Sequence, residues 1–556
     1  MRGLTLPLIL LSALTFLVGL GRGPISDADE AFYAESAREM VASGDLLTPH
    51  YNFEPRFQKP VLYYWLTAAT FAVTGPGEAA ARFWAALSAI GLVLITAACA
   101  RRWFDDGVAL LAGAIVATTF GYYSVGRMAL PDLPLTFFIT LAIWAGWLVT
   151  LEQDRFHARW VMLAGAALGL AFLTKGPVGV IIPVLVVVPV ALIERRSLNV
   201  GVRDVLVALV VFAAIGLPWY GAMWLRHGTP YLEGFFLGDN LERFATDRFN
   251  ERRAWWYYVP VLMGGMLPWT PLALHLERTG GWRFLTRRRD IGTLELRLLL
   301  WAALPLLFYA LSVGQQPRYI LPVLPPLAIL LAVSVLERTR DWRSLDGARV
   351  FVRRSPTVAL GGVLAGLLLI VLALLLWRAW PLLIHVHDVY TMAAAITIGL
   401  AGAGVAGVGL SGGWRQTPIA LTLAAAVTFP ALQFGALSAS GQGPVEQAAR
   451  IVTASRTAGE LIGTHQVFVR NLVFYTHERT VDLITDEQLA SFLNQDAPVI
   501  AVARADAIAR FEQTTGRSLK HLAEIPYFNE AGIRLRTLIW PDPEHDIERV
   551  LVVTNR

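Results

Sequence analysis

Pro24-Ile-Ser-Asp27-Ala-Asp29-Glu30-Ala-Phe-Tyr33-Ala-Glu35, continued through Glu39 to Arg56-Phe-Gln58-Lys59-Pro60-Val-Leu, is the most densely ionised stretch in the first 190 residues of this 556-residue chain. Apolar runs flank it on both sides. A chain that keeps such a cluster at the edge of lipid-soluble segments holds it at a membrane surface, and the rest of the sequence has to be read from there.

Outward from that stretch, composition sets the class. At 55% hydrophobic, 16% charged and mean hydropathy +0.52 the chain is no soluble globular protein. Apolar runs of about 17–25 residues, each long enough for a helix to cross a bilayer, recur through residue 437. They predict about thirteen spans: 4–20, 79–99, 106–124, 132–150, 159–174, 177–193, 205–224, 257–275, 295–313, 319–336, 357–377, 389–409 and 418–437. Residues 1–20 have the composition of a signal peptide, but no small-residue cleavage site follows, which predicts an uncleaved first span. Net charge +5 resides between spans, so membrane topology accounts for it and nucleic acid does not. Cys99 is the sole cysteine, which excludes a disulfide framework and a cysteine metal site.

Arginine sets the expected orientation. Loops 277–297 and 337–354 carry six arginines each, which places them and the N-terminus in the cytoplasm. Residues 21–78, 125–131, 225–256, 314–318 and everything beyond 438 then lie outside. Within the first outer segment, helices are expected at about 27–44, capped by Ser26 or Asp27, and at about 60–73, the second lying along the interface. Beyond 438, alternating patterns predict a small soluble α/β domain over 438–556, set apart from the membrane domain 1–437. Its expected helices are 443–462, 486–494 and 505–515, and its expected strands 467–470, 498–502, 535–540 and 550–553. It has no glycine-rich phosphate loop.

Four outer motifs pair a polar residue with a proline: Gln58-Lys59-Pro60, Leu130-Pro131-Asp132, Thr174-Lys175-Gly176-Pro177 and Gln315-Gln316-Pro317-Arg318-Tyr319. Proline favours the first helical turn. The cations are not explained that way, because a cation at a helix N-terminus opposes the macrodipole unless an anion shares the site. Phosphate binding and interfacial snorkelling of long side chains are the two readings of that pattern. Loop 225–256 adds Arg226, Arg243, Arg248, Arg252 and Arg253, against the usual bias for basic residues inside. Only three lysines exist, Lys59, Lys175 and Lys520, in a chain that otherwise uses arginine. Asp29 and Glu30 suit a helix's first turn without any function, whereas Asp132 sits where a span enters the membrane, a costly place for an acid. The spans carry almost no ionisable residues in mid-membrane, which speaks against an ion-coupled transporter and for chemistry at the outer face.

Taken together, Asp27-Ala-Asp29-Glu30-Ala-Phe-Tyr33-Ala-Glu35-Ser-Ala-Arg38-Glu39-Met40, Gly44-Asp45, Lys59-Pro60, Pro131-Asp132-Leu-Pro-Leu, Leu173-Thr-Lys-Gly176, Glu242-Arg243-Phe244, Trp255-Trp-Tyr and Gln316-Pro-Arg-Tyr-Ile-Leu-Pro322 resemble, in order, one family. It is the aminoarabinose transferase family that modifies lipid A, related to protein O-mannosyltransferases among the C-type membrane glycosyltransferases. The resemblance covers nearly all of the membrane part. It implies that Asp29 activates or positions the acceptor nucleophile and that Asp132 is a second catalytic acid. Lys59, Lys175, Arg243, Arg318 and Tyr319 would hold the phosphate of a polyprenyl-phosphate-linked sugar, with Glu30, Tyr33 and Gln58 as candidate substrate contacts. The implied enzyme is a glycosyltransferase of the bacterial inner membrane, acting on a glycolipid, glycan or protein acceptor; the alternative is a non-enzymatic lipid-linked glycan flippase. The family resembled carries Glu before the Lys-Pro and a His near the Arg-Phe motif, a pair able to bind a divalent metal. Gln58 and the Asp239-Asn240 region stand there, so no metal and no cofactor is expected.

Overall fold

In the computed structural model the described residues are 2–27, 29–150, 157–193, 200–246, 253–273, 293–339, 356–438, 441–529 and 534–556. The chain opens with α1 (Arg2–Phe16) and α2 (Asp29–Ser43), then a hairpin of β1 (His50–Tyr51) and β2 (Glu54–Pro55), and α3 (Leu62–Thr74). There follow α4 (Glu78–Trp103), α5 (Asp106–Ala117), α6 (Phe120–Gly126), α7 (Asp132–Thr150), α8 (His157–Lys175), α9 (Val178–Ile193), α10 (Val202–Gly216) and α11 (Pro218–His227). Helices over Leu294–Leu311, Pro317–Leu336, Pro356–Leu382, Asp388–Leu410 and Thr417–Leu437 complete the membrane part.

The chain is a multi-span membrane protein. Among the described residues eight helices are long and apolar enough to cross a bilayer, or ten if the bent pairs α5–α6 (54°) and α10–α11 (45°) each form one span. Shorter apolar helices run over Thr5–Phe16 and Val178–Ile193, and the stretch expected at 257–275 carries Tyr258–Gly265. Counting apolar residues misses such breaks: Thr118-Thr119 interrupts one pair and Pro218 the other. The arginine-rich loops used for orientation lie largely outside the described residues.

Close backbone approach fastens the late spans. A Cβ on Gly402 would meet the Gly366 carbonyl oxygen at 2.7 Å, so the helices carrying these residues cross at a distance that only glycine permits. Helices α2 and α3 pack on one another instead of crossing. Ala34, Ala37 and Met40 of α2 and Tyr64 and Ala68 of α3 are buried in one apolar cluster that extends to Leu130 and Tyr231.

Beyond Ser438 the chain forms a five-stranded sheet in the order β4-β3-β5-β7-β6. Its strands are β3 (Leu461–His465), β4 (Thr480–Leu483), β5 (Val499–Arg504), β6 (Lys520–Phe528) and β7 (Ile547–Thr554), with β3 parallel to both β4 and β5 and β7 antiparallel to its neighbours. The helices Asp486–Leu493 and Ala505–Thr515 match the expected ones closely, whereas the helix expected over 443–462 is Pro444–Ser455 and ends before β3 begins at Leu461. Two expected strands are corrected. Residues 467–470 form a loop after β3, with Gln466 (φ 58°) and Phe468 (φ 51°) in the left-handed region, and Val467 and Phe468 fill the core without joining the sheet. The strand expected at 535–540 is the helix Leu535–Ile539. At 467–470 an apolar run satisfies burial through a conformation that periodicity does not specify.

Candidate active site

The opening stretch reaches its site through an unexpected set of caps. Neither Ser26 nor Asp27 caps α2: Ser26 N donates to Glu30 Oε2 (2.8 Å), and Asp27 Oδ1 accepts from Arg470 N (2.7 Å). The helix begins at Asp29. Asp29 is thereby left half-exposed, its carboxylate paired with the Arg318 guanidinium. Arg318 also faces Asp132 (Nε to Oδ2, 3.4 Å), and Asp132 receives Lys175 Nζ at 2.6 Å. Lys175 in turn lies 4.8 Å over the Tyr319 ring. Four elements remote in sequence therefore deliver one alternating ladder of acid, cation, acid, cation.

Lys175 reaches the ladder in a way that the motif reading had reversed. It is the last residue of α8, where a cation complements the macrodipole, and not the first residue of a helix. Gly176, at φ +77°, turns the chain into α9, and a Cβ there would meet the Phe235 ring at 2.7 Å. The helix-start argument for phosphate thus fails at this motif, and the case for an anion rests on geometry.

That geometry is a second cluster beside the ladder. Lys59 Nζ and Arg243 Nη2 approach the same Asp239 oxygen at 3.8 and 3.2 Å. Lys59, Lys175, Asp239, Arg243 and Tyr319 line a cavity of about 400 Å³ whose remaining wall is largely apolar, including Phe235 and Tyr309. A second cavity of about 330 Å³, almost wholly apolar, has Arg318 as its charged lining residue and the chain about Gly264–Gly265 along one side. Burial pushes Lys59 down to about 7 against the pull of Asp239, with the charges of Arg243, Lys175 and Arg56 acting in the same direction as burial. For Asp29, burial acts to raise the carboxyl, but Arg318, with Lys175 and Lys59 behind it, outweighs burial and holds it below the usual range. The site combines a cationic pocket able to take a phosphate with two acids at its edge.

The three candidate contacts are placed differently. Glu30 is buried: Arg82 Nε donates to it at 2.7 Å, as do Ser26 N and Ala129 N (2.8 Å each). Tyr33 is buried too, stacked on Tyr64 at 5.3 Å. Gln58 is exposed, and its backbone oxygen accepts from Lys59 at 3.0 Å. One supporting residue, Arg82, escaped the sequence reading, although it was detectable as a cation one turn into an apolar span. Asp239 is the common partner of Lys59 and Arg243, a convergence with no local signal.

The site does not fit a divalent metal of the kind implied by the resemblance. Asp239 is engaged by two cations, the Asn240 amide donates to Phe235 O at 2.7 Å, and Gln58 offers only a neutral amide at the surface. Among the described residues no group of three His, Cys, Asp or Glu side chains is placed to share an ion.

Comparison with known proteins now bears on this arrangement. The profile of the dolichyl-phosphate-mannose-protein mannosyltransferase family matches residues 26–227, which include Asp29, Lys59, Asp132 and Lys175. The undecaprenyl phosphate-alpha-4-amino-4-deoxy-L-arabinose arabinosyl transferase of Aeromonas hydrophila is 31% identical over 386 residues, 69% of this chain and 68% of that one. The chain belongs to this arabinosyl transferase family. The Aeromonas salmonicida member is 34% identical over 341 residues; the match spans 60% of its length, and 64% in the Edwardsiella ictaluri member. The family fold extends over the whole chain: the crystal structure of ArnT from Cupriavidus metallidurans bound to undecaprenyl phosphate superposes with TM-score 0.74 at 22% identity, covering 100% of this chain and 98% of that one. The oligosaccharyltransferase of Archaeoglobus fulgidus, at TM-score 0.52 and 13% identity, shares the fold more distantly.

Proposed function

We propose that this protein is an integral membrane glycosyltransferase that moves a sugar from a polyprenyl phosphate to a glycolipid, glycan or protein acceptor at the outer face of the cytoplasmic membrane. The observation that carries the reading is the acid–cation ladder Asp29–Arg318–Asp132–Lys175, whose last member lines a cavity together with Lys59 and Arg243. Membership of the arabinosyl transferase family supports it.

In this reading the donor phosphate enters the cationic cavity, where Lys59, Lys175 and Arg243 neutralise the charge that builds on it as the glycosidic bond breaks. A phosphate monoester, with a second pKa of about 6, needs no dedicated general acid to depart. Asp29, half-exposed and held ionised by Arg318, orients the acceptor nucleophile on the opposite side of the anomeric carbon and takes its proton, which gives inversion. Asp132 is dry and fixes Arg318 and Lys175 between the two substrates. The arginine distribution supports an N-terminus in the cytoplasm and a site on the outer side.

The test is direct. Asp29→Asn and Asp132→Asn, in full-length protein, should each lower sugar transfer by about a hundredfold or more while undecaprenyl phosphate binding persists. Turnover of donor by both variants at near wild-type rates would remove the assignment.

A further inference from the structure

The C-terminal unit has no part in the chemistry described so far, yet it is fixed to the membrane part in two places. The first is the opening stretch, to which it is bolted. Ile25 N donates to Tyr475 Oη (2.7 Å), Asn471 Nδ2 to Ile25 O (2.9 Å) and Tyr51 Oη to Arg470 O (3.0 Å), and Asn52 exchanges hydrogen bonds with Thr480. The second lies between β6 and β7. These strands pair from Lys520 with Thr554 to Phe528 with Ile547, a ladder that a tight turn could close. The chain instead leaves the sheet after Phe528 and rejoins it at Ile547. On the way, the helix Leu535–Ile539 packs on the end of the span Pro356–Leu382, where Arg378 Nε donates to Ile539 O at 2.9 Å. Phe528 and Ile547, at the base of this detour, already rest on the apolar core of the membrane part.

Contact with the span accounts for only part of the detour. Leu538 and Ile539 are half-buried, but Leu535 is 64% and Trp540 66% exposed. A connection held in water has no use for two large open apolar side chains; polar and turn-forming residues serve it better. The neighbouring span shows what surrounds them. Its uncovered flank, which includes Val371 and Leu374, ends in the exposed Trp377 and Trp380. Tryptophan at the end of an apolar span marks the boundary between lipid and water. Arg378, which holds the detour, lies between these two tryptophans, so Leu535 and Trp540 are delivered to that same depth. Arg534 and Arg536, exposed on either side of Leu535, suit it too, because long cations lay their stems along apolar surface and keep their heads among polar groups. The acids that follow are turned to backbone: Asp542 accepts from Glu544 N (3.2 Å) and Asp546 from Asp542 N (2.8 Å).

We propose that residues 534–540 are a membrane foot of the C-terminal unit, whose Leu535 and Trp540 insert at the headgroup–acyl boundary of the leaflet around the end of the span Pro356–Leu382. The partner is the lipid surface itself, because the apolar surface of the foot continues the lipid-facing flank of that span. The C-terminal unit is then held over the site from two sides, by its bolts to the opening stretch and by lipid. The proposal stands whether or not the transferase reading does.

Two measurements on full-length protein in phospholipid nanodiscs test it. In the first, wild type is irradiated with a phospholipid that carries a diazirine at the glycerol end of one acyl chain. Peptides covering 534–540 and the span flank about Leu374 should both carry lipid adducts, and the peptide covering Lys520 none. Adducts on the span with none on 534–540 overturn the foot, and that is also the result if a second copy of the chain covers the patch. In the second, Cys99→Ala removes the sole cysteine, which is buried, and a nitroxide is placed at Leu535→Cys or Trp540→Cys. Collision with oxygen against a water-soluble nickel complex should put each label about 5–10 Å into the boundary region, while a label at Lys520→Cys stays aqueous. Nickel accessibility at either site equal to that at Lys520→Cys sinks the proposal. If the Cys99→Ala background does not fold, photolabelling of wild type decides alone.

Discussion

Asp29 and Glu30 are neighbours in the chain and opposites in the fold. Asp29 is half-exposed and answers to one guanidinium, that of Arg318, which it shares with Asp132. Glu30 is 1% exposed and accepts from Arg82, Ser26 N and Ala129 N together, while the same guanidinium of Arg82 donates to the carbonyls of Leu20, Gly23 and Pro24. One cluster is open at its Asp29 end, the other dry and saturated. Saturated polar networks fix structure; open ones are where a substrate finds partners. Because Ala129 precedes Asp132 by three residues, the saturated cluster also sets the spacing of the two acids in the open one.

The contrast can be broken most decisively at Asp29. Asp29→Asn should cost about 10²–10⁴-fold in transfer with little change in thermal stability, whereas Glu30→Ala should destabilise by about 3–5 kcal/mol, because it strands a buried guanidinium. Thermal unfolding in detergent beside single-turnover kinetics separates the two; a Glu30→Ala protein as stable as wild type would abolish the distinction. A smaller effect is expected at Lys59. Its ammonium is lost as pH rises through about 7, whereas the donor phosphate is already fully ionised above that pH, so undecaprenyl phosphate affinity should fall between pH 7 and 9, by less than tenfold per unit. Lys59→Arg, whose guanidinium stays charged, should flatten that slope; an unchanged slope would free Lys59 from the phosphate. The smallest effect is the control within the same residue type: Lys59→Ala should weaken donor binding several-fold and Lys520→Ala, on β6 in the C-terminal sheet, not at all, as equilibrium binding would report.

Much of this was legible in the sequence for physical reasons. Apolar run length announced the spans, and Asp132 and Lys59 stood out because ions at a membrane edge are expensive. What stayed hidden was pairing across distance. No local pattern says that Arg318 answers to Asp29, that Lys59 and Arg243 converge on Asp239, or that Glu30 is consumed by Arg82. The reading of Lys175 shows the hazard in the other direction: the residue belongs to the site, but the helix-terminus argument that flagged it had the helix the wrong way round. Val467-Phe-Val-Arg470 reads as a strand because apolar residues bury equally well in a loop, and only the left-handed backbone at Gln466 and Phe468 tells the two apart.

The bolts between Ile25, Tyr51 and Asn52 and the segment 470–480 have a consequence in time. A ribosome delivers Asp29, Lys59, Asp132 and Arg318 to the membrane well before it makes Arg470, Asn471, Tyr475 and Thr480. Until those residues dock, the entrance to α2 lacks the partners of Ile25 N, Ile25 O and Asp27. The nascent chain therefore carries Asp29 and its partners in a frame that is not yet closed, and closure waits on the docking of a segment made much later.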